Sequence, residues 1–512
     1  MKRIIKFLTG RLCIIGVMIL LQVAWIVVFL VDVSRRYYFV SGILNLIALA
    51  IAFSIVRQWS NPSSKLSWCF FIMAVPIVGV PVYLIFGRPG LTRGTRRRMD
   101  AVNERMKPFL KEDNALTEFL HREHKQAALQ SDYIWNVSRN PIYAHTTSRY
   151  FGCGEDMFQV MLSDIMRAKK YIFLEYFILD QGQMFDTLVE ALAKKAAEGV
   201  DVRLIYDDFG CISTMPTHFY RKLQARGIKC AAFNPARPVM AIIMNHRDHR
   251  KILVVDGEVG YTGGINIADE YINQIVRFGY WKDTGIRLEG AAAWSFSVMF
   301  LEMWDFIVNS EEPYEKFMPA ATFAAQIPTE GYVQPYDDTP LDSENVGENV
   351  YLNMITRATR YVYIYTPYLI LDQEMIVALS NAAKSGVDVR IVTPGIPDKK
   401  LVYMLTRAHY AKLLENGVRI YEYTPGFLHA KCFVCDDEYA TVGSINLDYR
   451  SLYLHFECGV FLYRTHSVAE VYEDMTATIA QSREILETDC RRRHPLGMSL
   501  VHALLRLAAP LL

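Results

Sequence analysis

Two short stretches of the chain carry the same three residue types at the same spacing. Each reads H-x-K-x-x-x-x-D and is followed by a glycine turn and an asparagine. A single match at three fixed positions arises easily by chance, whereas two matches at equivalent points of a repeat are a specific signal. The residues are His249, Lys251, Asp256 and Asn266 in the first stretch, and His429, Lys431, Asp436 and Asn446 in the second.

The spacing predicts which of these side chains share a face. Side chains two residues apart on a strand point to the same side, so each histidine is expected beside its lysine. Asp256 and Asp436 have the opposite parity to their histidines. We expect these two carboxylates at strand ends, where they orient backbone or lysines rather than attack a substrate.

Two histidines that face each other across a phosphodiester could transfer its phosphoryl group. One imidazole attacks phosphorus, and the other protonates the departing alkoxide from the opposite side. The lysines and asparagines would donate to the phosphoryl oxygens as charge builds there. Because the unperturbed pKa of histidine is about 6.5, one ring can be neutral and the other charged near neutral pH. This chemistry requires neither a metal nor another cofactor.

A histidine that acts as a nucleophile usually needs a carboxylate to fix its tautomer. The candidates downstream of the motifs are Asp283, in "YWKDTG", and Glu457, in "LHFECG". Either could also be an ordinary surface acid.

The motifs lie within a repeated pattern of β-type and helical runs. "KAAEGVDVRLIYDD" in the first part of the chain is matched by "AAKSGVDVRIVTPG" in the second, and both contain the five residues G-V-D-V-R. Other matched runs follow in the same order at a nearly constant offset, which two unrelated α/β segments would not produce. The β-α-β rhythm predicts sheets covered by helices. Duplication would bring the two histidine–lysine pairs together at the interface between the two halves, which we call the seam.

The repeats suggest a division of the chain into six parts. We predict a membrane region (1–87), a charged, mostly helical connector (88–139), a first half (140–326), a loop-like linker (327–349), a second half (350–490) and an interfacial C-terminal helix (491–512), for which docking on the protein's own core is the alternative.

The membrane region is predicted from its apolar runs. Residues 12–31 and 38–56 are each about long enough to span a bilayer. A signal peptide or a buried core helix are the alternatives. A third apolar segment, 67–87, contains Pro76, Gly79 and Pro81 and is expected to be irregular. Arginines follow it, so we expect a multi-pass protein of the cell membrane with its catalytic part on the cytoplasmic side.

Composition limits the partners. The net charge is only +1, so no overall field attracts nucleic acid, and we expect no nucleic-acid partner.

Cys432 and Cys435 form C-x-x-C inside a β-type run without a second pair, which favours packed thiols over a metal site. His121 and His124 are expected to be solvated. Asp207 and Asp208 are expected to cap a loop, and lining the pocket or binding a cation is the alternative.

The paired motifs resemble those of the phospholipase D superfamily, and nearly the whole chain resembles bacterial cardiolipin synthases. The resemblance rests on "IVGVPVYLIFGR", "NHRDHRKILVVDG", "YTGGINIADEY", "TPYLILD", "FLHAKCFVCD", "VGSINLDYRSLYLHFE" and "RLAAPLL". It implies two phospholipase D-like α-β-α sandwich halves. It also implies that the catalytic residues are His249, Lys251, Asp256, His429, Lys431 and Asp436. His455 is a departure, because the family commonly has asparagine there.

The resemblance further implies an activity. Two phosphatidylglycerols would give cardiolipin and glycerol through a phosphatidyl-histidine, with His249 the favoured nucleophile and His429 the acid. The partners would be phosphatidylglycerol and membrane phospholipid, and a homo-oligomer is left open. The alternatives are a membrane-anchored hydrolase of the same superfamily, acting on lipid or nucleic acid, another phosphatidyltransferase, and a non-catalytic lipid-binding or scaffold protein.

Overall fold

The computed structural model describes residues 11–36, 38–58, 61–87, 93–235, 246–310, 312–342 and 344–491, together with residues 505 and 507. The predicted C-terminal interfacial helix (491–512) therefore lies almost entirely outside the described residues, as do residues 88–92, whereas the arginine-rich run that follows them is described.

Four apolar helices precede the α/β part of the chain. They are α1 (Arg11–Arg36), α2 (Tyr38–Arg57), α3 (Pro62–Ala74) and α4 (Pro76–Phe86). Most of the large apolar side chains that are exposed in the described part of the chain lie on these helices. In that part of the chain, no helix combines the length and the apolar character needed to cross a membrane. The spans predicted over 12–31 and 38–56 are helices, but they gain no support as membrane spans.

The third apolar segment is less irregular than we predicted. It forms α3 and α4, which meet at Val75, where the backbone leaves the helical region with φ −138° and ψ 72°. A β-carbon on Gly79 would lie 2.7 Å from the Cα of Ile72, so the glycine permits close packing of the two helices. Pro76 is tolerated because it occupies the first turn of α4.

The connector is helical, as predicted, and is packed into the enzyme. It contains α5 (Arg93–Met106), α6 (Asn114–Glu123) and α7 (Lys125–Ser138), with a 3₁₀ turn over Lys107–Phe109. Met99 and Met106 of α5 join the core between the two halves. Ala127 and Ile134 of α7 are buried against the second half.

The first half forms a seven-stranded mixed sheet in the order β1-β9-β7-β6-β2-β3-β4. Its elements are β1 (Thr146–Phe151), α8 (Gly154–Arg167), β2 (Tyr171–Tyr176), α9 (Gln183–Ala197), β3 (Asp201–Asp207), α10 (Tyr220–Gln224), β4 (Lys229–Phe233), β5 (Arg247–Asp248), β6 (Lys251–Val255), β7 (Val259–Gly263), β8 (Tyr280–Lys282), β9 (Gly285–Gly290), α11 (Ala293–Val308) and α12 (Ala321–Ala324).

The second half repeats this arrangement in the order β10-β17-β16-β15-β11-β12-β13, with β18 added at one edge. Its elements are β10 (Tyr332–Asp338), α13 (Val346–Arg357), β11 (Tyr361–Tyr365), α14 (Gln373–Lys384), β12 (Asp388–Pro394), α15 (Lys400–Glu415), β13 (Arg419–Tyr423), β14 (Gly426–Leu428), β15 (Cys432–Cys435), β16 (Tyr439–Gly443), α16 (Tyr449–Tyr453), β17 (His455–Tyr463), α17 (His466–Ala480), β18 (Ser482–Ile485) and α18 (Glu487–Arg491).

The predicted linker is not a loop throughout. The segment 327–349 contains β10, which pairs with β17, and the start of α13. Residue propensities disfavour a strand that contains Pro335, but proline is tolerated in a strand at the edge of a sheet. Val333 and Tyr336 are fully buried, so their apolar side chains hold the strand in place.

The two sheets face each other across one shared core. Ile252 and Val254 of β6 and Cys432 and Val434 of β15 belong to it, together with side chains of α11 and α17. The outer face of each sheet has its own core and its own covering helices. The matching strand orders and this arrangement agree with the predicted duplication.

Candidate active site

Each motif histidine is placed by the opposite half of the protein. β5, just before His249, pairs in parallel with the start of β17, and the His249 backbone N–H donates to the Phe456 carbonyl at 2.9 Å. In the same way, β14 pairs in parallel with β8, and the His429 N–H donates to the Lys282 carbonyl at 2.7 Å. Both histidines therefore lie at the seam between the halves.

The carboxylates are exchanged across the seam as well. His249 Nδ1 lies 2.8 Å from Oε1 and 3.0 Å from Oε2 of Glu457, while His429 Nδ1 lies 2.7 Å from Oδ2 of Asp283. Glu457 and Asp283 are completely buried. An ionised carboxylate only accepts hydrogen bonds, so each Nδ1 donates its proton and leaves the Nε2 lone pair of the ring free.

Each motif lysine contacts the histidine of its own motif. Lys251 and Lys431 are almost fully buried, and each ammonium donates to the carbonyl of the histidine two residues before it. This contact ties each lysine to the backbone of its histidine. The Lys251 ammonium and the His249 ring also both lie against the Phe177 ring, at 5.6 Å and 4.9 Å, in agreement with the shared face that the strand spacing predicts.

Burial and mutual repulsion depress the basicity of the site. Burial lowers the pKa of Lys251 to about 8 and of Lys431 to about 7, although Glu457 and Asp283 oppose this. Burial, and then the Lys431 charge, lower the pKa of His429 to about 4. The pKa of His249 is far below its ordinary value, because burial is reinforced by the charges of Lys251, Lys431 and His429. The groups of both halves thus act on one another in a single site.

The two motif aspartates lie away from the histidines, at the other end of each strand. Asp256 accepts the backbone N–H groups of Lys169, Lys170 and Tyr171 at 2.7–2.8 Å. Asp436 accepts the equivalent groups at the start of β11. Both aspartates have left-handed backbones, with φ 54° and 57°. Their contacts hold the turn after the motif strand against the neighbouring central strand.

Asp436→Ala is expected to destabilise the second half and to spare the chemistry. Asp436 accepts from the N–H of Thr359, Arg360 and Tyr361 at 2.7–3.0 Å. Removing this acceptor should cost about 3 kcal/mol, which corresponds to a fall in Tm of roughly 6–12 °C. Thermal unfolding and kcat of the folded enzyme measure the two effects, with Asp436→Asn as the milder variant. A fall in kcat of about 10³-fold at unchanged Tm would instead make Asp436 a catalytic residue.

The asparagines of the motifs differ in their surroundings. Asn266 accepts from the Ile178 N–H at 3.0 Å and donates to the Tyr271 hydroxyl at 2.8 Å, so its amide already ties two loops together. Asn446 is buried, and its Oδ1 has no hydrogen-bond partner among the described residues. Their predicted contact with phosphoryl oxygens stays a prediction.

Three residues that contact or make room for the two carboxylates were not predicted from the sequence. Ser444 Oγ donates to Glu457, and Trp281 Nε1 lies 3.5 Å from Oδ2 of Asp283. Gly264 holds the position that Ser444 has in the other half, and a β-carbon there would lie 2.1 Å from Oδ1 of Asp283. Aligning "GGIN" with "GSIN" could have revealed the difference, but not the carboxylate that each residue contacts.

The prediction that Asp207 and Asp208 cap a loop agrees with the structure for Asp207. Asp207 accepts the N–H groups of Phe209 and Gly210 at 2.9 Å. Asp208 instead pairs with Arg11 at 2.9 Å.

The prediction of packed thiols agrees with the structure. Cys432 faces the shared core whereas Cys435 faces the outer core of the second half. The two thiols are buried on opposite faces of β15, where they cannot bind one metal ion.

The prediction for the helical histidines is only partly right. His121 is exposed and pairs with Asp132 at 3.0 Å. His124 is half-buried, with Nδ1 3.0 Å from the Tyr463 hydroxyl, because the connector packs on the second half.

Comparison with known proteins identifies the family. A model described as "Cardiolipin synthase, PLD-like domain" matches residues 161–276 and 351–479, and a phospholipase D–nuclease N-terminal model matches residues 43–88. The cardiolipin synthase of Geobacillus sp. is 32% identical over 467 residues, which cover 90% of this chain and 91% of the relative. The chain belongs to the cardiolipin synthase family.

Three other proteins are similar to this chain over most of their own length. Cardiolipin synthase 2 of Bacillus anthracis is 32% identical over 91% of this chain and 90% of its own length. An uncharacterized protein of Streptococcus mutans is 42% identical over 90% of this chain and 98% of its own length. The crystal structure of phosphatidylserine synthase from Haemophilus influenzae covers 75% of this chain and 97% of its own, with a TM-score of 0.55 at 15% identity. That likeness concerns the fold alone.

Proposed function

We propose that the protein transfers a phosphatidyl group between two phosphatidylglycerol molecules, giving cardiolipin and glycerol. Family membership supports the reaction class, and the two histidine–carboxylate pairs that meet at the seam carry the proposal. Each imidazole has its Nδ1 proton held by a carboxylate of the other half, which leaves two Nε2 atoms for one phosphodiester.

In the first step, Nε2 of His249 attacks phosphorus and the P–O bond to the departing glycerol breaks. His429 supplies the proton that this alkoxide takes up. In the second step, neutral His429 removes the proton from a hydroxyl of the second phosphatidylglycerol, and the new P–O bond forms as the P–N bond breaks. Glu457 stabilises the imidazolium that develops on His249 during the attack.

The lysines supply the charge for the transition state. Lys251 and Lys431 are close enough to both carboxylates and both imidazole rings to interact with them electrostatically. The effects of these groups on one another's pKa indicate this. An arriving phosphodiester anion raises the pKa of every cationic group around it. Substrate binding therefore charges the lysines and one histidine, so the acid is generated only when the substrate is present.

The surroundings of the rings favour a lipid hydroxyl over water. Only 7% of each histidine is exposed. The His249 ring lies 4.9 Å from Phe177, and the His429 ring lies 5.5 Å from both Trp281 and Tyr271. Closure of such a pocket around two lipids would exclude water from the phosphatidyl-histidine.

We further propose that α1–α4 attach the enzyme to a membrane. Their exposed apolar side chains supply the contact. Arg11 pairs with Asp208 of the first half at 2.9 Å, and Asn61 donates to Tyr453 of the second half at 2.9 Å. These contacts would hold the seam near the lipid. The two-span topology, a cytoplasmic catalytic part and a homo-oligomer stay predictions of the sequence.

The product of the reaction tests the proposal. The purified full chain is incubated with head-group-labelled and acyl-labelled phosphatidylglycerol, and the lipids are separated. We expect acyl label in cardiolipin and an equal amount of free labelled glycerol. Phosphatidic acid without cardiolipin would make the protein a hydrolase, and unchanged lipid would support a non-catalytic lipid-binding protein.

Binding of a soluble phosphodiester should weaken as pH rises. Burial lowers the pKa of Lys431 to about 7 and of Lys251 to about 8 in the free enzyme. Since the bound anion raises these values, binding takes up protons between pH 7 and 9. The Kd of glycerophosphoglycerol, measured by calorimetry, should therefore rise about tenfold per pH unit in this window. Lys431→Met should reduce the slope between pH 7 and 8, while Lys251 still contributes above it, whereas a flat wild-type curve would contradict the assigned linkage.

A further inference from the structure

One side chain at the His249 end of the site has no place in the proposed reaction. His455 lies beside His249, with 5.4 Å between the ring centroids. Its side chain is 10% exposed. Neither of its ring nitrogens has a hydrogen-bond partner among the described residues. A buried imidazole with two unsatisfied nitrogens is costly to retain, and it is a good ligand for a transition metal.

The neighbours of His455 complete a ligand set. His455 Nδ1 lies 3.6 Å from Oε1 of Glu457. One ligand atom from each of His249, His455 and Glu457 lies within 4.8 Å of the other two. Zinc bonds of 2.0–2.2 Å to nitrogen and oxygen place neighbouring ligands of a tetrahedral site about 3.3 Å apart. The longest separation between these ligand atoms, at most 4.8 Å, must therefore contract by no more than about 1.5 Å.

We propose that His249, His455 and Glu457 form an inhibitory site for a divalent transition metal such as Zn²⁺. Two imidazoles and one carboxylate are a ligand set that zinc accepts, with one position left for water. The carboxylates Glu457 and Asp283 offset the nearby charges of Lys251 and Lys431. Three ligands in such surroundings should bind Zn²⁺ with a Kd on the order of micromolar.

Metal binding would stop the proposed reaction in either orientation of the His249 ring. If the metal takes Nε2, it occupies the lone pair that attacks phosphorus. If it takes Nδ1, it displaces the proton that Glu457 holds and leaves the wrong tautomer. The inhibition rests on the proposed role of His249, whereas the metal binding does not.

The other end of the active site provides an internal comparison. The position of His455 relative to Glu457 is held by Trp281 relative to Asp283, two residues earlier in the chain in both cases. The indole of Trp281 lies 5.5 Å from the His429 ring, and its nitrogen can only donate. The duplication therefore predicts one metal site, at the His249 end, and none at the His429 end.

Direct metal binding tests the site without an activity assay. The purified full chain is titrated with Co²⁺, followed by its visible absorption, and the bound Co²⁺ is then displaced with Zn²⁺. We expect one site in the wild type and at least a tenfold weaker one in His455→Asn, because the loss of a direct ligand should exceed the usual effect of a supporting residue. His121→Asn, which removes the exposed pair with Asp132, is the control and should bind as the wild type does. Wild-type affinity in His455→Asn would overturn the proposal.

Inhibition is measured as a ratio within each variant. Cardiolipin formation in the presence of a chelator is compared with formation at a buffered micromolar concentration of free Zn²⁺. We expect at least a tenfold ratio for the wild type and a ratio near one for His455→Asn. Equal ratios in the two proteins would overturn an inhibitory role of this site. If chelated wild type makes no cardiolipin, the proposed function fails, while the Co²⁺ titration still decides the metal site.

Discussion

His249→Ala and His429→Ala are each expected to lower cardiolipin formation by at least about 10⁴-fold. The two rings act in the same displacement, so the loss of either removes the nucleophile or the proton donor. The rates of label transfer from phosphatidylglycerol measure the effect. His218→Ala removes an exposed histidine outside the site and should retain full activity.

The two losses have different origins, and an activated substrate separates them. In a phosphatidyl ester of p-nitrophenol, the leaving group departs without a proton. His429→Ala should therefore still release about one equivalent of nitrophenolate in a burst and accumulate the phosphatidyl-enzyme. His249→Ala should release none, because no nucleophile is present.

Two other results are informative. A burst from His249→Ala and none from His429→Ala would assign the nucleophile to His429. If both single variants retained more than about a tenth of the wild-type rate on phosphatidylglycerol, the two-histidine mechanism would be wrong.

The sequence was sufficient for the repeat and for the placement of several motif residues. A strand has a side-chain period of two, so the shared face of His249 and Lys251 follows from their spacing alone. The same parity argument removed Asp256 and Asp436 from the histidine face, and the structure places both at the strand ends. Such inferences succeed because they depend on local geometry.

The partners of the histidines could not be predicted in this way. Asp283 and Glu457 were candidates, but the sequence does not state which histidine each contacts. The pairing is decided by β5 against β17 and by β14 against β8, where the segments are far apart in the chain. Long-range pairings of two- and three-residue strands have no local signature.

A strand at the edge of the second sheet could not be predicted from the sequence either. Residues 332–338 were predicted as loop because they contain proline and acidic residues, yet they form β10 through burial of Val333 and Tyr336. The role of His455 was hidden for a related reason. Its two unsatisfied nitrogens become visible only when the strand that carries it is placed against His249.

The exchange of carboxylates across the seam gives the second large expected effect. Glu457→Gln and Asp283→Asn should each lower kcat by about 10³- to 10⁴-fold with little change in KM. An amide can donate to Nδ1 and so stabilise the tautomer in which Nε2 carries the proton. The imidazolium also loses its counter-charge. Both carboxylates are buried, so thermal unfolding is measured alongside to separate misfolding from the loss of orientation.

The activated substrate again distinguishes the two sites. Since Glu457 contacts His249, Glu457→Gln should lose the nitrophenolate burst as His249→Ala does. Asp283→Asn should retain the burst and lose only turnover of phosphatidylglycerol, as His429→Ala does. In double variants, Glu457→Gln should add almost nothing to His249→Ala, because both remove the same function. If Asp283→Asn abolished the burst while His429→Ala retained it, each histidine would depend on the carboxylate of its own half, and the seam would not be the origin of the active site.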